Sequence, residues 1–139
     1  LLHDIGKLGI RSEDLNKPQK LTQAEYVMFQ SHPSLGARIL EPLDFLHDLI
    51  PAVAYHHEQW DGSGYPEGLQ GEAIPLIARI IAVADTYDAM TSDRAYRKAL
   101  PHDFAIEELR RCADSQFDPA IVEVFCRQIE QQRKKRQAR

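Results

Sequence analysis

The apolar residues of the chain recur at helical spacing. The run PLIARIIAVADTYDAM places five residues on one helical repeat: Ile77, Ile80, Ile81, Ala84 and Asp88. The run that follows Asp118 and Pro119 has a second apolar stripe, formed by Ile121, Val122, Phe125 and Ile129. No segment alternates apolar and polar residues for long enough to predict a strand. The pattern predicts an all-α chain of about five or six helices.

Capping residues mark where these helices begin. Thr22 and Glu25 have the capping-box spacing, which predicts a helix start at Thr22. Pro75 and Pro119 stand where a first helical turn tolerates proline. Three more helices are predicted: residues 34–40 with Leu35, Ile39 and Leu40 facing inward, residues 48–57, and residues 101–113 with Ala105, Leu109 and Cys112 on one face.

The composition is that of one folded domain. The chain has 139 residues, of which 43% are hydrophobic and 27% charged. A chain of this length buries about two-thirds of its unfolded surface, so a metal would serve chemistry and would not be needed for folding. We predict one domain over residues 1–126, followed by a basic C-terminal helix end at residues 127–139.

Charge and hydropathy exclude two classes of partner. The net charge of −4 argues against binding to a nucleic acid polymer, and the basic run RKKRQAR is typical of a solvated helix end. No apolar stretch reaches the roughly 18 residues of a membrane span, and no signal peptide is present, so we expect no membrane contact. Cys112 and Cys126 lie in apolar helical patterns without metal-binding spacing, which fits the cytoplasmic location that we expect.

The first candidate for chemistry is the pair His3–Asp4. Apolar residues flank it, and Lys7 would share a helical face with Asp4. Because burial of an unpaired carboxylate is costly, a positive group is expected beside Asp4, either Lys7 or a divalent cation. A single histidine is more often a surface or core residue than a ligand, and His47 and His102 are assigned to that class.

Further histidines and Asp85 extend the candidate site. Asp85 faces the apolar stripe of its helix, where a salt bridge and metal ligation are equally good explanations. His56 and His57 would point about 100° apart on a helix, so they can share an ion if the helix ends there, as the following glycines indicate. The nitrogen and oxygen donors would suit catalytic iron, manganese, cobalt or zinc. The candidate ligands are His3, Asp4, His32, His56, His57 and Asp85.

Several stretches together resemble the HD-GYP domain, the cyclic di-GMP phosphodiesterase branch of the HD superfamily of metal-dependent phosphohydrolases. They are LLHDIGKLGI, LNKPQKLT, SHPSLGARIL, SQFDP and the long segment from HHEQWDGSGYP through VAD to DRAYRKAL. An HD pair alone is a weak signal, whereas HHE, DGSGYP, VAD and DRAYR in this order are specific. The resemblance covers nearly everything up to Cys126 and implies an HD-superfamily helical bundle.

The resemblance also implies a metal-dependent reaction. Asp4 would bridge two divalent ions, with iron or manganese as the first candidates. His3 and Asp85 would complete the shell of one ion, and the shell of the other would be completed by His32, His56 and His57. The implied reaction is attack of a metal-bridging hydroxide on a phosphodiester of cyclic di-GMP, which yields pGpG, GMP or both.

Other matched residues would bind substrate or partners. Lys7 would lie at the scissile phosphate. Arg94 and Arg97 would bind phosphate or guanine, and their spacing of three would place both guanidinium groups on one side of a helix. The signature Gly64–Tyr65–Pro66 would shape the rim of the site and offer a surface to a partner such as a diguanylate cyclase domain.

The chain begins after the position of the family's first metal-binding histidine. We therefore expect an N-terminally truncated domain without the first helices, in which the ion next to His3 lacks one ligand. Its activity by itself stays open, and the exposed apolar surface would favour a homodimer. Two alternatives remain: a non-catalytic module that binds a signalling partner, and a phosphohydrolase for another nucleotide.

Overall fold

A computed structural model describes residues 2–10, 22–94 and 97–137 of the chain. In these ranges the regular structure is helical, which confirms the all-α prediction. The α-helices are α1 (Gln23–Gln30), α2 (His32–Leu40), α3 (Ile50–Tyr55), α4 (Leu76–Thr91), α5 (His102–Arg111) and α6 (Pro119–Gln137). Short 3-10 helices span Ile5–Gly9, Asp44–Leu49 and Gly71–Ala73.

Some of the predicted features lie outside the described residues. These are Leu1, the segment LNKPQKL before Thr22, the Ala95–Tyr96 pair of the DRAYR motif and the last two residues of the basic tail. The predicted division between residues 126 and 127 falls inside α6, which is continuous. Among the described residues, no helix has the length and apolar character needed to cross a membrane.

The hydrophobic core lies where α4, α5 and α6 meet. Val83, Leu109, Val122 and Cys126 are fully enclosed there, and Phe117 packs beside them from the turn between α5 and α6. Each buried side chain of this size stabilises the fold by roughly 1.5–3 kcal/mol. The predicted stripe on α6 packs against this core, although the most deeply buried residues of the helix are Val122 and Cys126.

The predicted inward face of α4 is wrong in part. Ala78 and Val83 are completely buried, whereas Ile80 is 45% exposed and Asp88 is also exposed. The reason is that α4 packs against α3 as well as against α5 and α6. A helix with neighbours on several sides has buried positions that do not follow one stripe.

The helix boundaries follow the capping signals with small shifts. The backbone N–H of Glu25 donates to Thr22 Oγ1 at 3.3 Å, and the N–H of Thr22 donates to Glu25 Oε2 at 2.6 Å, which confirms the capping box. Helix α2 begins at His32, before the predicted start, and its Ile39 is largely exposed. Helix α3 ends at Tyr55, so the following histidines do lie at a helix end.

The His3–Asp4 segment is held against α2 by a close backbone approach. The residues after Asp4 form a 3-10 helix, in which residues three apart lie on one side, so Asp4 and Lys7 share a face as expected. A Cβ atom on Gly6 would overlap the carbonyl oxygen of His32 and lie 2.6 Å from the backbone nitrogen of Gly36. Glycine at position 6 therefore lets Asp4 reach the histidine at the start of α2.

We predict that Gly6→Ala lowers the free energy of unfolding by about 3 kcal/mol or more. The added Cβ would overlap backbone atoms of α2, which cannot rotate away as a side chain can. Gly9→Ala is the matched control, since the contact of its added Cβ among the described residues would be with the Leu35 side chain, at 3.3 Å. Urea denaturation of both variants measures the difference. Equal losses in the two variants would contradict the close approach at Gly6.

Candidate metal centre

The carboxylate of Asp4 lies at the centre of the candidate site. Its Oδ1 is 3.3 Å from Nε2 of His32 and 3.8 Å from Nε2 of His56. Its Oδ2 is 2.6 Å from Nζ of Lys7 and 3.6 Å from Nε2 of His3. Burial alone would raise the pKa of Asp4, but hydrogen bonds from His32 and His56, which require a proton on Nε2, and the ammonium of Lys7 outweigh burial and hold the pKa well below its usual range. The group is therefore a fixed anion at neutral pH.

His32 at the start of α2 and His56 after the end of α3 both point a ring nitrogen toward this carboxylate. His32 is the first residue of α2, and its Nδ1 is 2.6 Å from the carbonyl oxygen of Phe29. His56 follows α3, and its Nδ1 is 2.9 Å from the carbonyl oxygen of Val53. When Nδ1 donates to a carbonyl, the neutral imidazole presents a bare lone pair at Nε2. The two Nε2 atoms, 3.4 Å apart, then face each other and the carboxylate, an arrangement that calls for a cation or an extra proton between them.

His57 adds a third imidazole nitrogen to this group. Its Nε2 is buried and has no hydrogen-bond partner within the described part of the chain. Burial lowers the pKa of His57 to about 3, with further contributions from His56 and His32, so the ring is neutral at pH 7. Four residues, Asp4, His32, His56 and His57, each offer a ligand atom, and these atoms lie within 4.8 Å of one another. A buried lone pair without a donor is costly, and a metal ion would satisfy it.

His3 and Asp85 extend the cluster on another side of Asp4. Nε2 of His3 is 3.3 Å from Oδ1 of Asp85, which projects from the middle of α4. This hydrogen bond with His3 lowers the pKa of Asp85. The histidine and aspartate residues named as ligands from the sequence are thus near neighbours. Their nitrogen and oxygen donors, without a thiolate, fit the divalent metals expected from the sequence.

The loop after the histidines is fixed by Glu58, to which the sequence analysis gave no role. Its side chain is 4% exposed. Oε1 accepts hydrogen bonds from the backbone N–H groups of Glu67 and Gly68 at 2.7 and 3.1 Å, and Oε2 accepts one from Leu69 at 2.9 Å. The signal in the sequence was the acidic residue directly after two histidines.

The Gly64–Tyr65–Pro66 signature folds back onto the same histidines. A Cβ atom on Gly64 would lie 2.5 Å from the carbonyl oxygen of His57, so only glycine fits. The ring of Tyr65 stacks on that of His57 with a centroid distance of 4.9 Å. Gly62, with φ of +84°, makes the preceding turn. The glycine-rich segment is thus held at both ends, by Glu58 and by the close approach of Gly64 to His57.

The expected helical arrangement of Arg94 and Arg97 is wrong. Helix α4 ends at Thr91, and the two arginines pair through their backbones, with N···O distances of 2.8 and 3.1 Å. The side chain of Arg97 turns back and donates to the carbonyl oxygen of Ala89 near the end of α4. Both residues are exposed, and their roles toward phosphate or guanine stay predictions.

The two histidines left out of the predicted site have ordinary partners. Nε2 of His47 is 2.8 Å from the carbonyl oxygen of Glu41, and Nδ1 of His102 is 2.6 Å from the hydroxyl of Tyr87. Neither belongs to the group of metal-competent ligands formed by the described residues.

We predict that Glu58→Gln speeds amide hydrogen exchange at residues 67–69 by about tenfold or more, because an amide replaces a charged acceptor of three backbone hydrogen bonds. Glu72→Gln, an exposed change in the same loop region, is the control and leaves these amides protected. Unchanged protection in Glu58→Gln would show that other contacts hold the loop.

We also predict a pH-dependent stability that His57 carries. Its folded pKa of about 3 lies below the ordinary value of 6.5, so its contribution is fully present above pH 6.5 and is lost as the pH falls toward 3. The loss is at most about 1.4 kcal/mol per pH unit. Urea midpoints of the metal-free protein between pH 7 and pH 5 measure it. His57→Asn flattens this dependence, and the exposed control His47→Asn retains it.

The comparisons with known proteins agree with this architecture. The profile of the family described as HD domain matches residues 1–121. A cyclic di-GMP phosphodiesterase of Vibrio cholerae is 45% identical over 131 residues, which are 89% of this chain and 27% of that protein. The cyclic di-GMP phosphodiesterase response regulator RpfG of Xanthomonas campestris is 44% identical over 135 residues, 94% of this chain and 36% of that protein.

A second group of relatives has a different substrate in its name. The 3'3'-cGAMP-specific phosphodiesterase 3 of V. cholerae is 42% identical over 119 residues, 86% of this chain and 26% of that protein. The crystal structure of a cyclic GMP-AMP specific phosphodiesterase of V. cholerae shares the fold, with a TM-score of 0.67 at 23% identity over 93% of this chain and 36% of the other. The chain thus spans only about a quarter to a third of the length of these relatives. These matches confirm the HD-GYP resemblance of the motifs, and the chain belongs to the HD domain family.

Proposed function

We propose that this chain is the catalytic region of a metal-dependent phosphodiesterase that hydrolyses cyclic di-GMP. The observation that carries the proposal is the convergence of Asp4 with His32, His56 and His57 from three segments of the chain. Within the described part of the chain, Nε2 of His57 is buried without a hydrogen-bond partner, which supports the proposal because a cation there would satisfy it. The names of the relatives support the substrate class.

In this proposal the ligands divide around Asp4. The residues that would hold two divalent cations are Asp4 with His3 and Asp85 on one side, and Asp4 with His32, His56 and His57 on the other. Divalent cations bound by these residues, iron or manganese by preference, would supply Lewis-acid charge and an activated water for attack on the phosphodiester. The ionised state of Asp4 and the neutral state of His57 at pH 7 are the states that metal ligation needs.

Lys7 has a separate role in the proposal. Its ammonium group contacts Oδ2 of Asp4 at 2.6 Å and lies 5.3 Å from the centre of the Phe29 ring. It is thus a cation held at the edge of the cluster, where it can stabilise negative charge that develops on the scissile phosphate. Arg94 and Arg97 are exposed beyond the end of α4 and would bind a more distant phosphate or base.

The proposal also extends to the reaction product and to the identity of the cyclic dinucleotide. We infer hydrolysis to pGpG, GMP or both. The cGAMP-specific relative, at 42% identity, makes a hybrid cyclic dinucleotide the second candidate substrate. Docking of a diguanylate cyclase domain on the Gly64–Pro66 loop would be an additional function and does not compete with hydrolysis.

We predict that Asp4→Asn lowers turnover of cyclic di-GMP by at least about 100-fold in protein loaded with Mn²⁺ or, under anaerobic conditions, with Fe²⁺. The loss follows because the amide has no charge to hold the cations. Asp44→Asn, at a fully exposed carboxylate, is the matched control. Chromatography of the products gives the rate, and elemental analysis gives the bound metal. Equal turnover in wild type and Asp4→Asn would overturn the proposed function.

A further inference from the structure

A cavity of about 210 Å³ opens next to the candidate metal centre. One wall is formed by centre residues and the signature tyrosine: His56, His57, Asp85 and Tyr65. The other walls come from the segment after α3, from α4 and from the turn between α5 and α6. Its volume exceeds that of one water several-fold, so it can admit a planar heterocycle, although a whole cyclic dinucleotide is too large.

Three polar side chains around this cavity have hydrogen-bonding capacity to spare. The amides of Gln59 and Gln116 and the hydroxyl of Thr86 make no side-chain hydrogen bond to another described residue. They come from three different elements and border one space. Each amide offers donors and an acceptor side by side, and the hydroxyl offers both functions.

Away from the metal centre, the side chains around the cavity do not favour a phosphate. Among the described residues, the lining contains neither lysine nor arginine. The lining has two carboxylates. Asp85 belongs to the candidate metal centre, and Glu58 already accepts hydrogen bonds from three backbone N–H groups of the loop. The walls away from the metal centre therefore offer no positive charge to an anion, whereas a neutral group with both donors and acceptors would fit them. Phe117 and Ala82 add apolar contact for a ring.

We propose that this cavity binds a purine base of the cyclic dinucleotide, with Gln59, Gln116 and Thr86 contacting the polar edge of the base. The proposal rests on the phosphodiesterase function proposed above and adds the part of the site that selects the base. Because His57 and Asp85 belong to both the cavity wall and the candidate metal centre, a base held here lies beside the phosphate that reacts. The cavity would thus contribute to specificity while the metal ligands carry the chemistry.

The test compares substrates that differ in the base. Initial rates are measured for cyclic di-GMP, for its inosine analogue without the exocyclic amino groups, and for bis(p-nitrophenyl) phosphate, which has no base. The variants are Gln59→Leu, Gln116→Leu and Thr86→Val. Gln23→Leu, an exposed glutamine at the start of α1, is the matched control.

In at least one glutamine variant, we expect the kcat/KM for cyclic di-GMP to fall by about tenfold or more relative to that for bis(p-nitrophenyl) phosphate. A higher KM for cyclic di-GMP should account for most of this fall. In that variant the guanine and inosine substrates also become more alike. A variant that merely disturbed the metal centre would lower all three rates together, and that outcome would overturn the proposal. Gln23→Leu keeps the wild-type ratios.

A failure of the proposed function gives a different result. If the wild-type protein hydrolyses none of the three substrates, the phosphodiesterase proposal fails. Equilibrium dialysis with labelled cyclic di-GMP then decides on the cavity alone. Loss of affinity by about tenfold in the glutamine variants supports base binding. Equal affinities in wild type and variants, or no binding by the wild type, overturn it.

Discussion

The site depends on one constraint: the carboxylate of Asp4 lies close to three imidazole nitrogens. Two of the histidines direct Nδ1 to a backbone carbonyl oxygen, which leaves lone pairs facing an anion. Lone pairs that face a carboxylate repel it unless a proton or a cation lies between them. Lys7 supplies one positive charge at Oδ2 and leaves Oδ1 facing the histidines. The surrounding fold holds this unfavourable arrangement together: Gly6 brings the Asp4 segment onto α2, and the ends of α2 and α3 bring the histidines.

The buried Glu58 and the half-buried Asp4 serve opposite purposes. Glu58 accepts three backbone hydrogen bonds, so its charge is satisfied within the protein and it fixes the loop. Asp4 contacts Lys7 through Oδ2, but its Oδ1 faces histidines that become favourable partners only when a proton or a cation lies between them. The two groups are connected through His56 and His57, which precede Glu58 directly in the chain. The ordered loop and the reactive centre are consequently one structural unit, with Tyr65 stacked on the ring of His57.

The site also separates charge recognition from base recognition. Lys7 contacts the carboxylate of Asp4, where the proposed reaction places the phosphate. The neighbouring cavity has neutral amides and a hydroxyl, and no cationic side chain lines it among the described residues. A cyclic dinucleotide presents the same two kinds of surface, anionic diesters and neutral bases with mixed donors and acceptors. Relatives of this chain are named for cyclic di-GMP and for cGAMP, so the base is the feature that distinguishes their substrates.

The sequence by itself determined the helical class, because that class depends on local periodicity. It also determined the capping box at Thr22 and the helix end at His56 and His57, which depend on local backbone hydrogen bonding. The order of the motifs determined the family. The sequence also named the residues that cluster around Asp4. It placed Ile80 and Asp88 on the wrong face of α4, and it put Arg94 and Arg97 on a helix that ends before them. Neighbours distant in sequence decide such burial and helix ends. Only the tertiary structure decided that Glu58 anchors the loop and that Gln59, Thr86 and Gln116 border one cavity, since those contacts join residues that no local pattern relates.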